Sequence, residues 1–364
     1  MLIDIIAGAR PNFMKIAPIT HAIQNAQLEG KNINFRLIHT GQHYDKNMSD
    51  SFFVQLNIPQ PDINLGAGGG TQAEQTAAIM VGYEKLLLEK KSDLCLVVGD
   101  VTSTMACSIS AQKLHVKVAH VEAGIRSGDW SMPEEINRMI TDSITNYFFT
   151  TTKIANENLK KSGITDDRIF WVGNTMIDTL LNNRSRFHKP AIWEQIGLKD
   201  SSYLVMTLHR PANVDEVGKL KELISEIIKH SQGLPLIFPV HPRISKILKE
   251  LGIEDPNLHL IEPLGYLEFN YLVERAKAVI TDSGGITEET TVMGVPCMTL
   301  RDNTERPETV TIGTNELIGT DPKAIGPGMK ILFDGNWKKG AIPELWDGKT
   351  STRIVNHLCE IWKL

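Results

Sequence analysis

Acidic side chains follow two apolar runs of the sequence, at positions that suit proton transfer. Asp100 ends the run DLCLVVGD (93–100), and Glu122 lies near the end of KVAHVEAG (117–124). The stretch VAHVEAGIRSGDWSMPEE (118–135) contains four carboxylates in all: Glu122, Asp129, Glu134 and Glu135. If both runs are strands of one parallel sheet, Asp100 and Glu122 emerge at the sheet edge where open α/β proteins bind their ligands.

Three interpretations of these acids are available. A solvated acidic loop is the simplest, and it suits Asp129 and Glu135 in particular. Two carboxylates and a histidine could instead hold Mg²⁺ or Mn²⁺, but no DxD pair or HxxxE-type cluster supports a metal site. General acid/base catalysis near a phosphate leaving group fits Asp100 and Glu122 better, because carboxylates in a closing cleft can be tuned to accept or donate a proton. We therefore expect an acid/base site without a metal.

The stretch TDSGGITEETTVMGVP (281–296) predicts an anion-binding turn between a strand and a helix. Ser283 can cap the helix, and Gly284-Gly285 let a ligand approach the free backbone N–H groups at the helix start. The alternative is a plain strand-to-helix turn, in which Glu288 and Glu289 merely complement the positive helix end. No GxGxxG or GxxxxGK[ST] pattern occurs here, so a dinucleotide or Walker-type site lacks support.

Basic residues stand at the predicted strand edges, where they suit a diphosphate. They are Arg10, Lys15, Arg210, Arg301 and Arg306. Each alone could be an ordinary surface cation, but several together fit a diphosphate, which arginine meets with a planar fork and lysine as a point charge. The segments IIAGARPN (5–12) and VMTLHRPAN (205–213) echo each other, since both read as a strand ending in Arg-Pro and a turn. Coincidence could explain so short an echo; otherwise, two such edges facing each other would form an interdomain cleft.

Two series of strands and helices are needed to position these residues. Short β-branched runs alternate with stretches of helical spacing such as PEEINRMITDSITN (133–146). Continuous apolar strands separated by helices predict parallel sheets covered on both faces. One series spans residues 2–174 and the other spans residues 202–302, with a polar, strand-poor segment at 182–190 between them. The final stretch, STRIVNHLCEIWKL, reads as one amphipathic helix that must dock on one of the two domains.

The composition is that of a globular protein without a nucleic-acid footprint. The chain has 364 residues, of which 41% are apolar and 22% charged, and its net charge is −5. No apolar run approaches the roughly 20 residues of a membrane helix, so neither nucleic acid nor membrane is an expected partner. The N-terminus has no basic leader, and the four cysteines show no CxxC spacing, so we expect reduced thiols in a cytoplasmic protein.

Ten motifs, in order along nearly the whole chain, resemble those of the non-hydrolysing UDP-N-acetylglucosamine 2-epimerases. They are GARPNFMKIAP (8–18), TGQHYD (40–45), VVGDVTST (97–104), HVEAGIRSGD (120–129), PEEINR (133–138), VGNTMID (172–178), LHRPAN (208–213), TDSGGITEE (281–289), RDNTERPE (301–308) and GTNELIGTD (313–321). The resemblance implies an α/β, GT-B-like architecture of two Rossmann-like doubly wound parallel-sheet domains facing an interdomain cleft. We expect them at 1–175 and 176–345, with a helix at 346–364 packing back on the first domain. A homodimer is also implied.

The resemblance further implies the reaction. A base removes the C2 proton of the sugar as UDP leaves C1, which gives 2-acetamidoglucal and bound UDP. UDP then adds back while C2 is protonated from the other face, so UDP-GlcNAc and UDP-ManNAc interconvert. No cofactor is required, and the expected partner is a UDP-sugar.

Matched position by position, the resemblance assigns roles to particular residues. The proton-transfer and diphosphate-side catalytic positions are Asp100, Glu122, Glu134 and His209. The substrate-binding positions are Arg10, Lys15, Phe269 in the uracil pocket, Ser283, Gly284 and Gly285 at the diphosphate turn, Glu289 at the ribose, and Arg306. A second, activating UDP-N-acetylglucosamine in bacterial members implies Gln42, Gln72, Arg210 and His241. The chain departs from those members at Thr71, where they have arginine, and this departure argues against such activation.

Four alternatives share parts of this pattern. Differences in GARPNF and GGGTQAEQT allow a modified substrate, such as a UDP-diacetamido-uronic acid or a 6-deoxy sugar. A hydrolysing epimerase would release N-acetylmannosamine and UDP. A GT-B glycosyltransferase would share the fold but would not need Asp100, Glu122 and Glu134 together. A UDP-sugar sensor would bind without turnover.

Overall fold

Parallel strands and intervening helices make up both halves of the chain in a computed structural model, which describes residues 1–41, 53–214, 216–240, 245–248 and 252–364. The strands are β1 (Leu2–Ala7), β2 (Asn34–His39), β3 (Ile63–Asn64), β4 (Leu94–Val98), β5 (Lys117–Val121), β6 (Tyr147–Thr150), β7 (Ile169–Trp171), β8 (Leu204–Thr207), β9 (Leu236–Pro239), β10 (Leu258–Ile261), β11 (Ala278–Thr281), β12 (Cys297–Thr299) and β13 (Asn315–Leu317).

The α-helices connect or follow these strands. They are α1 (Arg10–Leu28), α2 (Gln72–Glu89), α3 (Thr102–Lys113), α4 (Pro133–Ile144), α5 (Lys153–Lys161), α6 (Thr175–Asn183), α7 (Ala191–Gln195), α8 (Pro211–Val214), α9 (Val217–His230), α10 (Tyr266–Arg275), α11 (Gly284–Met293), α12 (Pro307–Thr311), α13 (Ile325–Phe333) and α14 (Thr350–Trp362). Short 3₁₀ turns occupy Asp166–Arg168, Arg184–Arg186 and Pro322–Ala324. None of the helices in the described ranges is long and apolar enough to cross a membrane.

The chain divides into two compact units, each built on one sheet. Unit 1 comprises Met1–Asn182 and Glu344–Leu364, and unit 2 comprises Asn183–Pro343. All strands of unit 1 run parallel in the order β3-β2-β1-β4-β5-β6-β7, and those of unit 2 run parallel in the order β10-β9-β8-β11-β12-β13. Every residue of β4 is buried, as expected for a strand with helices on both faces.

Within each unit, the central strands end side by side at the carboxyl edge of the sheet. In unit 1, β4 lies between β1 and β5, with Val98 opposite Val121. In unit 2, Thr207 at the end of β8 lies opposite Thr281 at the end of β11. Residues that follow these strands therefore share one edge of their own sheet, where the strand order reverses direction along the chain.

The last helix, α14, completes unit 1. Ile354 and Leu358 are fully buried on it, and it packs against α1. The Asp178 carboxylate accepts hydrogen bonds from the N–H groups of Thr350 (3.0 Å) and Ser351 (2.7 Å), so a side chain of α6 holds the first turn of α14. Burial raises the pKa of Asp178, and these hydrogen bonds oppose that rise.

Candidate active site

The turn between β1 and α1 is held by a buried asparagine. The Asn12 side-chain oxygen accepts from the N–H groups of Gly8 and Ala9, both at 3.0 Å, while its amide nitrogen donates to the Val98 carbonyl at 3.1 Å. One side chain thus joins the ends of β1 and β4. Our sequence interpretation assigned no role to Asn12, although GARPN lies inside the first motif.

Lys15 and Glu122 form an ion pair at this edge. The Lys15 ammonium lies 2.7 Å from Oε2 of Glu122, and the two residues are only 8% and 3% exposed. Glu122 has a φ of +70°, which is uncommon for a residue with a side chain and marks local backbone strain. Gly99 has a φ of +67°, and a β-carbon there would lie 2.8 Å from the Lys15 nitrogen. Gly99 therefore leaves room for the ammonium beside Asp100.

Asp100 is held by α4. Arg138 forms an ion pair with its carboxylate, and the Asn137 amide donates to its backbone carbonyl at 2.8 Å. The Arg138 guanidinium also donates to Glu135 at 2.7 Å, so a buried arginine links two acids. Sequence reasoning missed Arg138 as a site residue; its place in PEEINR, one helical turn after Glu134, was the available signal.

The remaining carboxylates of the 118–135 stretch have separate environments. Glu135 is buried and accepts from the N–H groups of Ser127 and Gly128, both at 3.0 Å, so the solvated-loop interpretation was wrong for it. Burial opposes ionisation, but these donors and Arg138 outweigh it and lower the pKa of Glu135. Asp129 closes a turn by accepting from the Ser131 N–H at 3.0 Å. Glu134 is half-buried, and its carboxylate makes no hydrogen bond or ion pair with the described residues.

A buried histidine supports the loop after β5. His120 Nδ1 lies 2.7 Å from Asp142, and Nε2 lies 2.8 Å from the Gly99 carbonyl oxygen. Asp142 also pairs with Arg126 at 2.6 Å and accepts from the Gly124 N–H at 3.1 Å. Burial opposes ionisation of Asp142, yet His120 and Arg126 lower its pKa. These contacts fix Gly99, and hence Asp100, to β5 and α4.

In unit 2, buried Asp282 organises the turn after β8. Its carboxylate lies 2.8 Å from His209 Nδ1 and accepts from the backbone N–H groups of His209 and Arg210 at 3.1 and 2.9 Å. The Asn213 amide donates to it as well, at 3.1 Å. Burial opposes ionisation, but these contacts lower the pKa of Asp282. The His209 side chain is 62% exposed, so it is oriented by Asp282 while one ring edge stays accessible.

The TDSGGITEE segment forms the expected strand-to-helix turn. Ser283 is the N-cap residue of α11, but its side chain makes no capping hydrogen bond, so the expected cap was wrong. Its N–H instead donates to the Thr281 hydroxyl at 3.0 Å, and that hydroxyl lies 2.7 Å from the hydroxyl of Thr207. The start of α11, at Gly284 and Gly285, is therefore not capped by the Ser283 side chain.

The two glutamates of α11 are buried and lie beyond its first turn, so neither serves as the simple helix-end charge considered from the sequence. Glu288 pairs with Arg306 at 2.5 Å. Glu289 accepts from the Tyr266 hydroxyl at 2.7 Å. Burial raises the pKa of Glu289 to about 7, although hydrogen bonds from Tyr266 and Asn270 oppose the rise.

Within unit 2, Phe269 lies in apolar surroundings, whereas Glu305 lies among arginines. Phe269 is half-buried on α10 and packs against the apolar cluster that contains Leu272 and Val273. Glu305 pairs with Arg301 at 2.5 Å, and Arg210 lies 3.7 Å from its other oxygen. Burial opposes ionisation of Glu305, but Arg301 and Arg306 lower its pKa to about 2.

Several residues that the sequence assigned to binding sites do not contact the other candidate site residues or lie outside the described residues. The Arg10 side chain, Gln42 and His241 lie outside the described part of the chain. Gln72 is exposed at the start of α2, where the Thr102 hydroxyl donates to it at 3.4 Å. Across the ranges that the structure describes, no three His, Cys, Asp or Glu side chains are grouped to hold a metal ion. Asp100 and Glu122 lie beside cations instead, namely Arg138 and Lys15.

Comparison with known proteins gives one family. The family model of UDP-N-acetylglucosamine 2-epimerase matches residues 26–359. The UDP-N-acetylglucosamine 2-epimerase of Methanocaldococcus jannaschii is 42% identical, over 98% of this chain and 99% of its own. The UDP-2,3-diacetamido-2,3-dideoxy-D-glucuronate 2-epimerase of Pseudomonas aeruginosa is 37% identical, over 99% of this chain and 100% of its own.

A solved structure agrees with these matches. The M. jannaschii enzyme in complex with UDP-GlcNAc and UDP has a TM-score of 0.87, over 99% of this chain and 100% of that one, at 42% identity. This similarity and the two parallel sheets confirm the expected GT-B-like class of fold with two Rossmann-like domains. The resemblance carried by the ten motifs is confirmed too: the chain belongs to the UDP-N-acetylglucosamine 2-epimerase family.

Proposed function

We propose that this protein interconverts UDP-GlcNAc and UDP-ManNAc without net hydrolysis. The observation that carries the proposal is the pair of acids, Asp100 and Glu122, that follow adjacent strands of unit 1 and each contact a buried cation. This arrangement lies in a chain that matches UDP-N-acetylglucosamine 2-epimerases over nearly its full length. Proton transfer at a carbon needs such positioned carboxylates, and it needs no cofactor in this reaction.

The proposed chemistry is an elimination followed by an addition. A carboxylate accepts the proton from C2, the C2–H electrons form the C1=C2 double bond, and the C1–O bond breaks with its electrons leaving on the UDP oxygen. The products, 2-acetamidoglucal and UDP, stay bound. UDP oxygen then attacks C1 while an acid protonates C2 from the opposite face, which inverts C2.

Unit 1 supplies the proton-transfer groups in this proposal. Asp100 and Glu122 are the candidates for the two faces of C2, and Glu134 is the third acid. Lys15 balances the charge of Glu122 at 2.7 Å, and Arg138 plays the same part for Asp100. Asp100 and Glu122 are thus each held in one orientation by a buried cation, as positioned catalytic groups require.

Unit 2 supplies most of the proposed UDP contacts, and Arg10 of unit 1 supplies one more. The start of α11, with Ser283, Gly284 and Gly285, presents a positive helix end to the diphosphate. His209, oriented by Asp282, stands at the same strand edge. Glu289 is assigned to the ribose hydroxyls and Phe269 to the uracil pocket, while Arg10 and Arg306 are assigned to phosphate and substrate contacts.

A modified sugar is the second candidate substrate. The 37% identity to the diacetamido-glucuronate 2-epimerase of P. aeruginosa favours it, but the 42% identity to the M. jannaschii enzyme favours UDP-GlcNAc. Both substrates share the same C2 chemistry. Parallel assays with the two UDP-sugars separate these alternatives, because the preferred substrate gives the higher kcat/KM.

The function is tested by incubating the protein with UDP-GlcNAc in D₂O and following the reaction by proton NMR. We expect deuterium at C2 of both epimers without accumulation of free N-acetylmannosamine. Accumulating N-acetylmannosamine would identify a hydrolysing enzyme instead. Absence of exchange at C2 with either UDP-sugar would contradict epimerisation and leave a UDP-sugar sensor.

We also propose a homodimer in the cytoplasm. The homodimer rests on the family resemblance, and light scattering of the purified protein measures it directly. The cytoplasmic location is supported by four buried cysteines, all without disulfide bonds. Cell fractionation tests it; recovery from an oxidising compartment would refute it.

A further inference from the structure

Glu305 lies against the start of α11. Its side chain is 9% exposed, and a β-carbon on Gly284 would lie 2.8 Å from Oε1 of this carboxylate. Only a residue without a side chain allows such a close approach of carboxylate and helix backbone. Glu305 belongs to the segment between β12 and α12, so it can change position without breaking a strand.

The surroundings of Glu305 are those of an anion-binding site. Arg301 lies 2.5 Å from Oε2, and Arg210 lies 3.7 Å from Oε1. The ten-residue helix α11 points its positive end to this place, and the side chain of its N-cap residue, Ser283, makes no capping hydrogen bond. The Glu305 carboxylate therefore lies between the positive end of α11 and the guanidinium groups of Arg301 and Arg210.

One buried donor in this site is unused. Arg301 is 4% exposed, and its Nη1 makes no hydrogen bond with any described residue. The same Nη1 lies 3.9 Å from the position of a β-carbon on Gly284, so it faces the start of α11. Glu305 thus satisfies only part of the donor capacity that converges here, and a larger anion with more acceptor oxygens could satisfy more of it.

We propose that Glu305 is an internal substitute for the diphosphate. Its carboxylate occupies the anion site while no ligand is bound, and it is displaced when UDP binds. The proposal rests on the proposed function, in which the same turn holds the diphosphate. Carboxylate and phosphate repel each other at short range and need the same donors, so both cannot hold this position. Glu305 then neutralises the buried arginine in the empty site, weakens UDP binding and promotes UDP-sugar release.

The test is calorimetric titration of the full-length protein with UDP. In Glu305→Gln the competing charge is lost but the side chain keeps its size, so we expect Kd for UDP to fall about tenfold. The matched control is Glu316→Gln, which removes one negative charge from a half-exposed pair with Lys338 in the same unit. We expect the control to change Kd by less than about twofold.

Equal or weaker UDP binding by Glu305→Gln would overturn the proposal, because a glutamate that only positions Arg301 for the phosphate gives that result. Glu305→Asp keeps the charge but withdraws the carboxylate from Gly284, so its Kd should lie between those of wild type and Glu305→Gln. If Glu305→Gln does not fold, Glu305→Asp provides the test. A Kd for UDP equal to that of wild type in Glu305→Asp would then refute the proposal. A wild-type protein that binds no UDP would contradict the proposed function itself.

Discussion

The buried ion pair of Lys15 and Glu122 makes the stability of unit 1 depend on two residues 107 positions apart. In Lys15→Met the Glu122 carboxylate stays buried without its ammonium partner at 2.7 Å. Breaking a buried pair by removing one partner costs about 3–5 kcal/mol, because an uncompensated charge is left in a medium of low polarity. We expect Lys15→Met to destabilise unit 1 by this amount.

Native-state hydrogen exchange of the β5 amides measures the opening of unit 1 itself. At about 1.4 kcal/mol per factor of ten, a loss of about 3 kcal/mol speeds their exchange more than a hundredfold. The matched control is Lys153→Met, which breaks the pair of Lys153 with Glu344 at 2.9 Å in the same unit. These side chains are 67% and 61% exposed, so the expected loss is below about 1 kcal/mol.

The double variant Lys15→Met/Glu122→Gln completes the cycle. It leaves no buried charge unpaired, so it should be more stable than Lys15→Met alone, with a coupling energy of about 2 kcal/mol or more. Additive single effects, or equal losses for Lys15→Met and the exposed control, would refute the assignment of a buried, coupled pair.

Four further expectations follow from the site. Asp100→Asn should abolish C2 exchange in D₂O yet keep the calorimetric Kd for UDP within about threefold, because the proposed UDP contacts lie in unit 2 except for Arg10, which this substitution leaves in place. A large loss of UDP binding would contradict that division of roles. UDP affinity should rise between pH 6 and 8 more steeply in wild type than in Glu289→Gln, because ribose hydroxyls favour the ionised form of a carboxyl whose pKa is about 7. Parallel pH profiles of the two proteins would exclude Glu289 as the ribose contact. Without UDP, the raised pKa means that unit 2 loses stability as the pH rises from the unfolded pKa of about 4.3 through 7. Asp178→Ala should destabilise unit 1 by about 1–3 kcal/mol in hydrogen exchange, since it leaves the buried first turn of α14 without acceptors; unchanged protection of α14 would refute this. Initial rates should depend hyperbolically on UDP-GlcNAc, because Thr71 uses its hydroxyl to cap α2, accepting from the Glu74 N–H at 3.2 Å, and brings no positive charge; a sigmoidal curve would show activation by a second ligand.

The strand-edge positions of the acids were predictable from the sequence. Continuous apolar runs that end in Asp100 and Glu122 predict adjacent parallel strands, and β4 and β5 are adjacent. The ten motifs also identify the family and the class of fold. Both inferences use local pattern and order along the chain, which a sequence displays directly.

The partners of the site residues could not be predicted in this way. Lys15 was assigned a substrate contact, and its ion pair with Glu122 was not foreseen, because only the sheet order brings these two residues together. Glu135 was interpreted as a loop residue, although it turns inward to Arg138 and two backbone donors. Asp282 received no role because its four donors come from 69 to 73 positions earlier in the chain.

The docking of α14 imposes an order on folding during synthesis. Unit 2 is continuous along the chain, whereas unit 1 needs residues on both sides of unit 2. A ribosome therefore releases all of unit 2 before the helix that covers α1 exists, and chains usually fold domain by domain as they emerge. The acids of unit 1 and the sheet that carries them are consequently made early, while the helical layer of unit 1 is completed last. Truncation just before residue 350 should spare unit 2 while exposing apolar surface on unit 1.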